Sequence, residues 1–284
     1  MPTGPEYEKI RQLLKSHDLT TVCQEAKCPN QFECYGKGTA TFMILGERCT
    51  RNCRFCAVGH RPESLPDPEE PERVAEAVVL LGLRYAVVTS VTRDDLADGG
   101  ASLFAETIQA IRRRSPKALV EVLIPDLQGD RSALQVLLDA APDVLNHNIE
   151  TVAPLYRAVR PQAEYRRSLE LLRRAKEMHP GIPTKSGIML GFGETHVELL
   201  QTWQDLLAAG VDILTMGQYL QPSGEHLPVQ RFVPPEEFAE LAAKALALGF
   251  AGVASGPFVR SSYQAEKLYR QALGRMQGLT DPLT

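Results

Sequence analysis

The chain has 284 residues, 44% of them hydrophobic, and a formal net charge of −4. That is enough apolar material for one large α/β domain or two smaller ones. The near-balance of charge argues against a general nucleic-acid surface, and no apolar run approaches the length of a membrane span.

Residues 5–17 predict an amphipathic helix with Tyr7, Ile10, Leu13 and Leu14 on one face. The stretch from Cys23 to Cys34 reads as a loop extension, with Pro29-Asn30 marking a turn. Thr39 to Leu45 is a first buried strand, ended by Gly46 just before Cys49. Strands and helices then alternate. Helices are expected over 68–81, 101–114, 131–141, 165–178, 197–209 and 235–248. The strands between them are expected over 84–90, 118–124, 143–150, 184–190 and 212–220. These make up six strand–helix units, the pattern of a parallel sheet with helices outside it, curled by right-handed crossovers into a partial barrel. One more helix, Tyr263 to Met276, is expected in the tail. The divisions are an N-terminal extension (1–38), the partial (β/α)6 barrel (39–250) and a C-terminal extension (251–284).

All six cysteines fall in two triplets, Cys23/Cys28/Cys34 and Cys49/Cys53/Cys56. A disulfide framework suits short secreted chains, and this chain shows no signal peptide. Structural zinc usually takes paired C-x2-C knuckles supplying four ligands, whereas only one C-x2-C is present here, inside a triplet. A four-iron cluster normally takes four protein ligands. Neither triplet can borrow a thiolate without stripping the other, so the sequence suggests two [4Fe-4S] clusters, each completed by something else. Free thiolates of this kind fit a reducing, cytoplasmic setting.

Polar groups gather at the strand ends: Thr89-Ser90 through Asp94-Asp95, Asn146-His147-Asn148-Ile149-Glu150, Thr184-Lys185-Ser186, and Gly191-Phe192-Gly193-Glu194. In parallel α/β folds ligands bind at the C-terminal ends of strands. A lone His147 is more often a satisfied core histidine, and Asp94 or Asp95 could equally cap a helix or solvate a loop. Four polar groups on the short run 146–150 are nevertheless costly to bury without a partner, which favours a ligand rich in donors and acceptors.

The C-x3-C-x2-C spacing, with aromatic Phe55 before its last cysteine, resembles the radical S-adenosylmethionine (SAM) superfamily. The context of the first triplet, Thr21-Val22-Cys23-Gln24-Glu25-Ala26-Lys27-Cys28-Pro29-Asn30, and the run Arg260-Ser261-Ser262-Tyr263 resemble the lipoyl synthase family. Val120-Glu121-Val122-Leu123-Ile124-Pro125-Asp126 matches as well. The resemblance implies a radical SAM type of α/β barrel in which Cys49, Cys53 and Cys56 hold one cluster, whose open iron is chelated by SAM. It further implies that Cys23, Cys28, Cys34 and, through oxygen, Ser261 hold an auxiliary cluster that supplies sulfur at C6 and C8 of an octanoyl chain. By the same resemblance Thr89 and Ser90 hold the methionine amino group, and Asn148 and Glu150 the ribose. Arg160 and Lys185 contact the carboxylate, Gly191 lies against adenine, and the Phe55 backbone meets its amino group. The implied partners are octanoylated lipoyl carrier domains (2-oxoacid dehydrogenase E2 or glycine cleavage H protein) and a reductant such as ferredoxin or flavodoxin. Many members begin with a basic Lys-Pro-x-Trp-Leu segment; this chain starts Met1-Pro2-Thr3-Gly4, and its one tryptophan is Trp203. From composition alone, the serine pair before the tail helix would be an N-cap. Rival readings are another sulfur-inserting radical SAM enzyme, such as one acting on dethiobiotin, and a non-enzymatic iron–sulfur carrier. A carrier would need neither six strand–helix units nor a polar cavity.

Overall fold

The computed structural model describes residues 4–37, 39–61 and 65–278. The opening Met1-Pro2-Thr3 and the last six positions of the expected C-terminal extension lie outside them. The chain divides into two compact units. One runs to Asn52 and resumes from Cys56 to Asp143, and the other comprises Cys53–Phe55 and everything from Val144 on. No helix among the described residues is long and apolar enough to cross a membrane.

In the first unit, α1 (Pro5–Ser16) has proline at its start, Glu6 and Glu8 in its first turn and Lys15 in its last, an order that suits the helix dipole. It buries Ile10 and Leu14, and Tyr7 stacks on Phe32 with ring centroids 5.2 Å apart. The segment through the first three cysteines is not the expected loop. It forms β1 (Thr20–Thr21), α2 (Val22–Glu25) and α3 (Gln31–Gly36), elements too short to show a period in sequence. β1 runs antiparallel to β2 (Thr41–Ile44), with Thr21 opposite Phe42. Next, β3 (Arg48–Cys49) and β4 (Gly59–His60) pair in parallel and close the loop of the second triplet.

α4 (Glu70–Leu80), β5 (Tyr85–Ser90), α5 (Ala101–Arg114), β6 (Leu119–Leu123) and α6 (Arg131–Asp139) follow as the alternation predicts. β2 and β6 flank β5, both parallel to it, with Ile44 opposite Ser90 and Thr89 opposite Leu123. From Tyr85 to Thr89 every residue of β5 is buried, as expected of a strand covered on both faces. The carboxylate at the start of α5 is Asp98, which accepts from Gly100 N (2.9 Å) and Ser102 N (2.8 Å). Neither Asp94 nor Asp95 caps that helix.

The second unit opens with β7, which covers only Val144–Asn146 of the expected 143–150. Glu150 has φ 67°, a left-handed conformation that ends the ladder and leaves it a lone parallel bridge to Ile188. After α7 (Tyr156–Val159) come α8 (Tyr165–Met178), β8 (Thr184–Leu190), α9 (His196–Ala208), β9 (Ile213–Gln218) and α10 (Pro235–Leu248). α9 starts on a capping box between Thr195 and Glu198. An unforeseen strand, β10 (Gly252–Gly256), pairs in parallel with β9 from Gly252↔Ile213 to Gly256↔Gly217. The tail helix α11 is Ala265–Met276 and starts two residues later than expected.

Candidate functional site

The first unit carries the upstream triplet on α2, the turn after it and α3. The carbonyl of Cys23 accepts from Cys28 N at 3.1 Å, that of Cys28 from Gln31 N at 3.3 Å, and that of Cys34 from Thr39 N at 2.8 Å. These short-range bonds fold the segment so that the three thiols feel one another. Burial pushes the Cys23 thiol up to about 11, and nearby Cys28 adds to this against hydrogen bonds from Thr41. Burial also pushes Cys34 up to about 12, reinforced by Cys23, Cys28 and Glu33. Two thiols that resist ionisation, Cys23 and Cys34, with Cys28 beside them, are a poor acid–base device. They are a good set for cationic iron, which would stabilise the thiolates.

In the loop of the second triplet, Cys49 Sγ accepts backbone N–H bonds from Arg51 (3.4 Å) and Thr92 (3.3 Å). The residues after β5 are zipped to this loop. Thr50 N and Thr50 Oγ1 both donate to Thr92 O, at 2.9 and 3.0 Å. Asp94 neither caps a helix nor merely solvates a loop: it receives both Nε and Nη2 of Arg51, at 2.6 and 2.8 Å. Asp95 binds Arg93 in the same way. Of the two residues expected to hold an amino group, Thr89 has spent its hydroxyl proton on Leu123 O (3.0 Å). Ser90 Oγ is buried without a hydrogen-bond partner among the described residues.

Cys53 to Phe55 belong to the second unit. Arg54 N donates to Val159 O (2.9 Å), and its carbonyl accepts from Leu227 N (3.1 Å). Phe55 packs against the buried cluster of Val159, Phe192 and Tyr219, in which the last two rings stack at 4.2 Å. The Arg160 side chain bonds Cys53, Tyr156 Oη (2.9 Å) and Asn148 O (3.1 Å). Burial disfavours its charge, but Tyr156, Cys53 and Glu150 outweigh that and hold the guanidinium firmly protonated. The Glu150 carboxyl is raised by burial and opposed by Arg160, Asn148 and Arg260.

Asn148 Oδ1 and Arg160 Nε are buried with no hydrogen-bond partner among the described residues. A Cβ on Gly187 would come within 2.7 Å of Asn148 Oδ1, so the strand must be bare there for Asn148 to lie across it. Gly191 (φ 110°) has its N–H held by Glu194 Oε1 at 2.7 Å, and Phe192 N bonds the other carboxylate oxygen at 2.9 Å. Lys185 is buried on β8 opposite Asn146. His147 is a satisfied core histidine, its Nε2 2.9 Å from Ser168 Oγ. Ser261 lies in the turn between β10 and α11. The α11 N-cap is Gln264 and makes no side-chain cap bond, so capping does not account for the serine pair.

None of the six cysteines is in a disulfide. Among the described residues no three His, Cys, Asp or Glu side chains converge on one metal ion. Thiolates of a cubane bind different irons and need not converge. The donor chemistry fits iron–sulfur clusters. Ser90 in the first unit, and Asn148 and Arg160 in the second, each present a buried polar atom with no hydrogen-bond partner among the described residues, as groups that await a polar partner do. Sequence reasoning missed Arg51 and Asp126. The only signal for them was position, Arg51 between two cysteines and Asp126 at the end of β6.

Fold and cysteine loop together define a radical SAM protein, and residues 43–206 match the model of the Radical SAM superfamily. The solved structure of HydG, a maturase of the [FeFe]-hydrogenase, aligns with TM-score 0.62 at 17% identity, covering 93% of this chain and 70% of that one. SuiB of Streptococcus suis bound to S-adenosylmethionine aligns with TM-score 0.56 at 12% identity, covering 77% and 50%. At these identities the likeness is one of fold. Lipoyl synthase of Desulfotalea psychrophila is 70% identical over 96% of this chain and 91% of its own length. The Symbiobacterium thermophilum lipoyl synthase is 59% identical over 97% and 86%, and that of Bacillus cereus 54% identical over 97% and 93%. The chain belongs to the lipoyl synthase family, and its superfamily implies a [4Fe-4S] cluster and SAM.

Proposed function

We propose that this chain inserts sulfur at C6 and C8 of an octanoyl group amide-linked to a lysine of a lipoyl carrier domain. The observation that carries the reading is the second set of free thiols, Cys23, Cys28 and Cys34, crowded together and separate in sequence from the radical SAM loop. A SAM-cleaving enzyme needs only one cluster, and a second set of cluster ligands is the means to deliver sulfide. When bound, the loop cluster with SAM supplies the electron and the hydrogen-abstracting adenosyl group, and the auxiliary cluster supplies sulfur.

The protein's share is binding, orientation and exclusion of water. Cys49, Cys53 and Cys56 would each bind one iron. Ser90 Oγ, Asn148 Oδ1 and Arg160 Nε, which have no hydrogen-bond partner among the described residues, would take polar groups of SAM. The Gly191 turn and the Phe55 side would face its adenine. Cys23, Cys28 and Cys34, with Ser261 as oxygen ligand, would hold the auxiliary cluster. An oxygen ligand is more readily protonated than a thiolate and suits a cluster that must give up sulfide. Substrates would be octanoylated carrier domains of 2-oxoacid dehydrogenases or of the glycine cleavage system, with a ferredoxin or flavodoxin as reductant, in the cytoplasm.

The test uses anaerobically reconstituted protein, SAM, dithionite and an octanoylated peptide. Cys53→Ala should lose both 5′-deoxyadenosine and lipoyl product, while Cys28→Ala should keep the first and lose the second. Lipoyl product from a Cys28→Ala protein that retains its loop cluster would refute the reading.

A further inference from the structure

Arg51 lies within the cysteine loop, yet it is only 3% exposed. Buried arginines are rare unless paired, and this one is paired twice. Besides both oxygens of Asp94, its Nη1 and Nη2 donate to Asp126 Oδ2 (2.9 Å) and Oδ1 (2.6 Å). Asp126 is fully buried and also accepts from Gln128 N at 3.1 Å. One guanidinium is thus shared by two carboxylates, one of which, Asp126, is wholly removed from solvent. That is a costly way to anchor a loop if stability were the only return.

What the clamp fixes is the backbone around one thiolate. Arg51 N and Thr92 N are the donors to Cys49 Sγ. Thr50 Oγ1 links the two strands of chain, donating to Thr92 O and accepting from Asp94 N at 3.1 Å. Residues 49–51 and 92–94 thus form one zip, with the Cys49 sulfur at one end and the Arg51–Asp94–Asp126 clamp at the other. N–H bonds to a ligating sulfur draw charge from it. A cluster that gains an electron profits more from this than its oxidised form, so such bonds raise its reduction potential.

We propose that Arg51 is a positioning residue: clamped by Asp94 and Asp126, it holds the two N–H donors on Cys49 and so sets the reduction potential of the loop cluster. The proposal rests on the assignment of Cys49, Cys53 and Cys56 to that cluster. Its test is an EPR-monitored redox titration of the reconstituted holoprotein, following the component of the reduced signal that changes when SAM is added. In Arg51→Lys the charge stays and both forks are lost; in Thr50→Val the clamp stays and the hydroxyl link is lost. Both should move the midpoint to more negative values and alter the g-values, with iron content unchanged. If Arg51→Lys does not fold, Thr50→Val decides alone. A wild-type midpoint and spectrum in the folded variants would overturn the proposal. Cys53→Ala is the separate control: if the SAM-sensitive component survives it, the cluster assignment itself has failed, whatever the Arg51 and Thr50 variants show.

Discussion

Glu70 offers a quantitative test of how the turn into the cysteine loop is held. Its carboxylate accepts the N–H of Leu45 at 2.9 Å, and Leu45 sits at φ 70° just after β2. The side chain is buried, and burial pushes its carboxyl up to about 7 from 4.5, against the opposing pull of the Leu45 bond. A carboxyl raised in the fold holds more protons than its unfolded counterpart between these two values, so its contribution to stability is complete below 4.5 and is lost as pH rises through about 7. The whole difference corresponds to about 3 kcal/mol, of which about 2.5 kcal/mol falls between pH 5 and 8. Glu70→Gln keeps the shape and an acceptor for Leu45 N but cannot ionise. Its uncompensated amide N–H lowers stability by about 1–3 kcal/mol at every pH, so the informative quantity is the slope. Anaerobic urea unfolding of both proteins at equal iron loading should show the wild type losing about 2.5 kcal/mol more than the variant from pH 5 to pH 8. Parallel stability–pH curves, or a wild type that gains on the variant as pH rises, would refute the reasoning.

Three further outcomes are expected. Reconstituted wild type should hold about eight irons per chain, with Cys53→Ala and Cys28→Ala each losing about half; iron analysis checks this, and loss of all iron from a folded single variant would contradict independent sites. Ser261→Ala should unfold within about 0.5 kcal/mol of wild type, since no cap is lost, and should cleave SAM but form no lipoyl product. Gly217→Ala would set a Cβ 2.0 Å from Val259 O, in the segment that leads to Ser261. It should cost about 1–3 kcal/mol of overpacking and reduce lipoyl formation more than 5′-deoxyadenosine formation; equal loss of the two would argue against a local effect.

The parts legible in the sequence were those with a long period or a local motif. Helices such as Ala101–Arg114, Tyr165–Met178 and Pro235–Leu248 ran to their expected ends because apolar stripes, flanking glycines and prolines all agree there. β10 escaped because Gly252-Val253-Ala254-Ser255-Gly256 has small side chains and glycines at both ends. Nothing in it signals a strand until β9 offers a ladder. The fourth strand was read too long for the converse reason, because composition cannot reveal that Glu150 takes a left-handed turn.

The same division explains the site. Cysteine spacing is local chemistry and could be read directly, whereas the partners of Arg51 lie 43 and 75 residues away, on the far sides of intervening helices in the chain. Their acidic character gave no cue, since Asp94 sits in a run with Asp95 and Asp126 at a strand end, both ordinary places for a solvated carboxylate. Only the fold distinguishes them. Asp95, its side chain 44% exposed, pairs with Arg93, while Asp126 is wholly buried against the Arg51 guanidinium. A carboxylate buried to that degree must be paired wherever the chain is folded. Arg51 is therefore held by contacts within the fold itself, and with it the N–H group that meets Cys49. The order of dependence runs from the β5 and β6 ends to the cysteine loop, so substitutions at Asp94 or Asp126 belong with those of the loop rather than with those of the core.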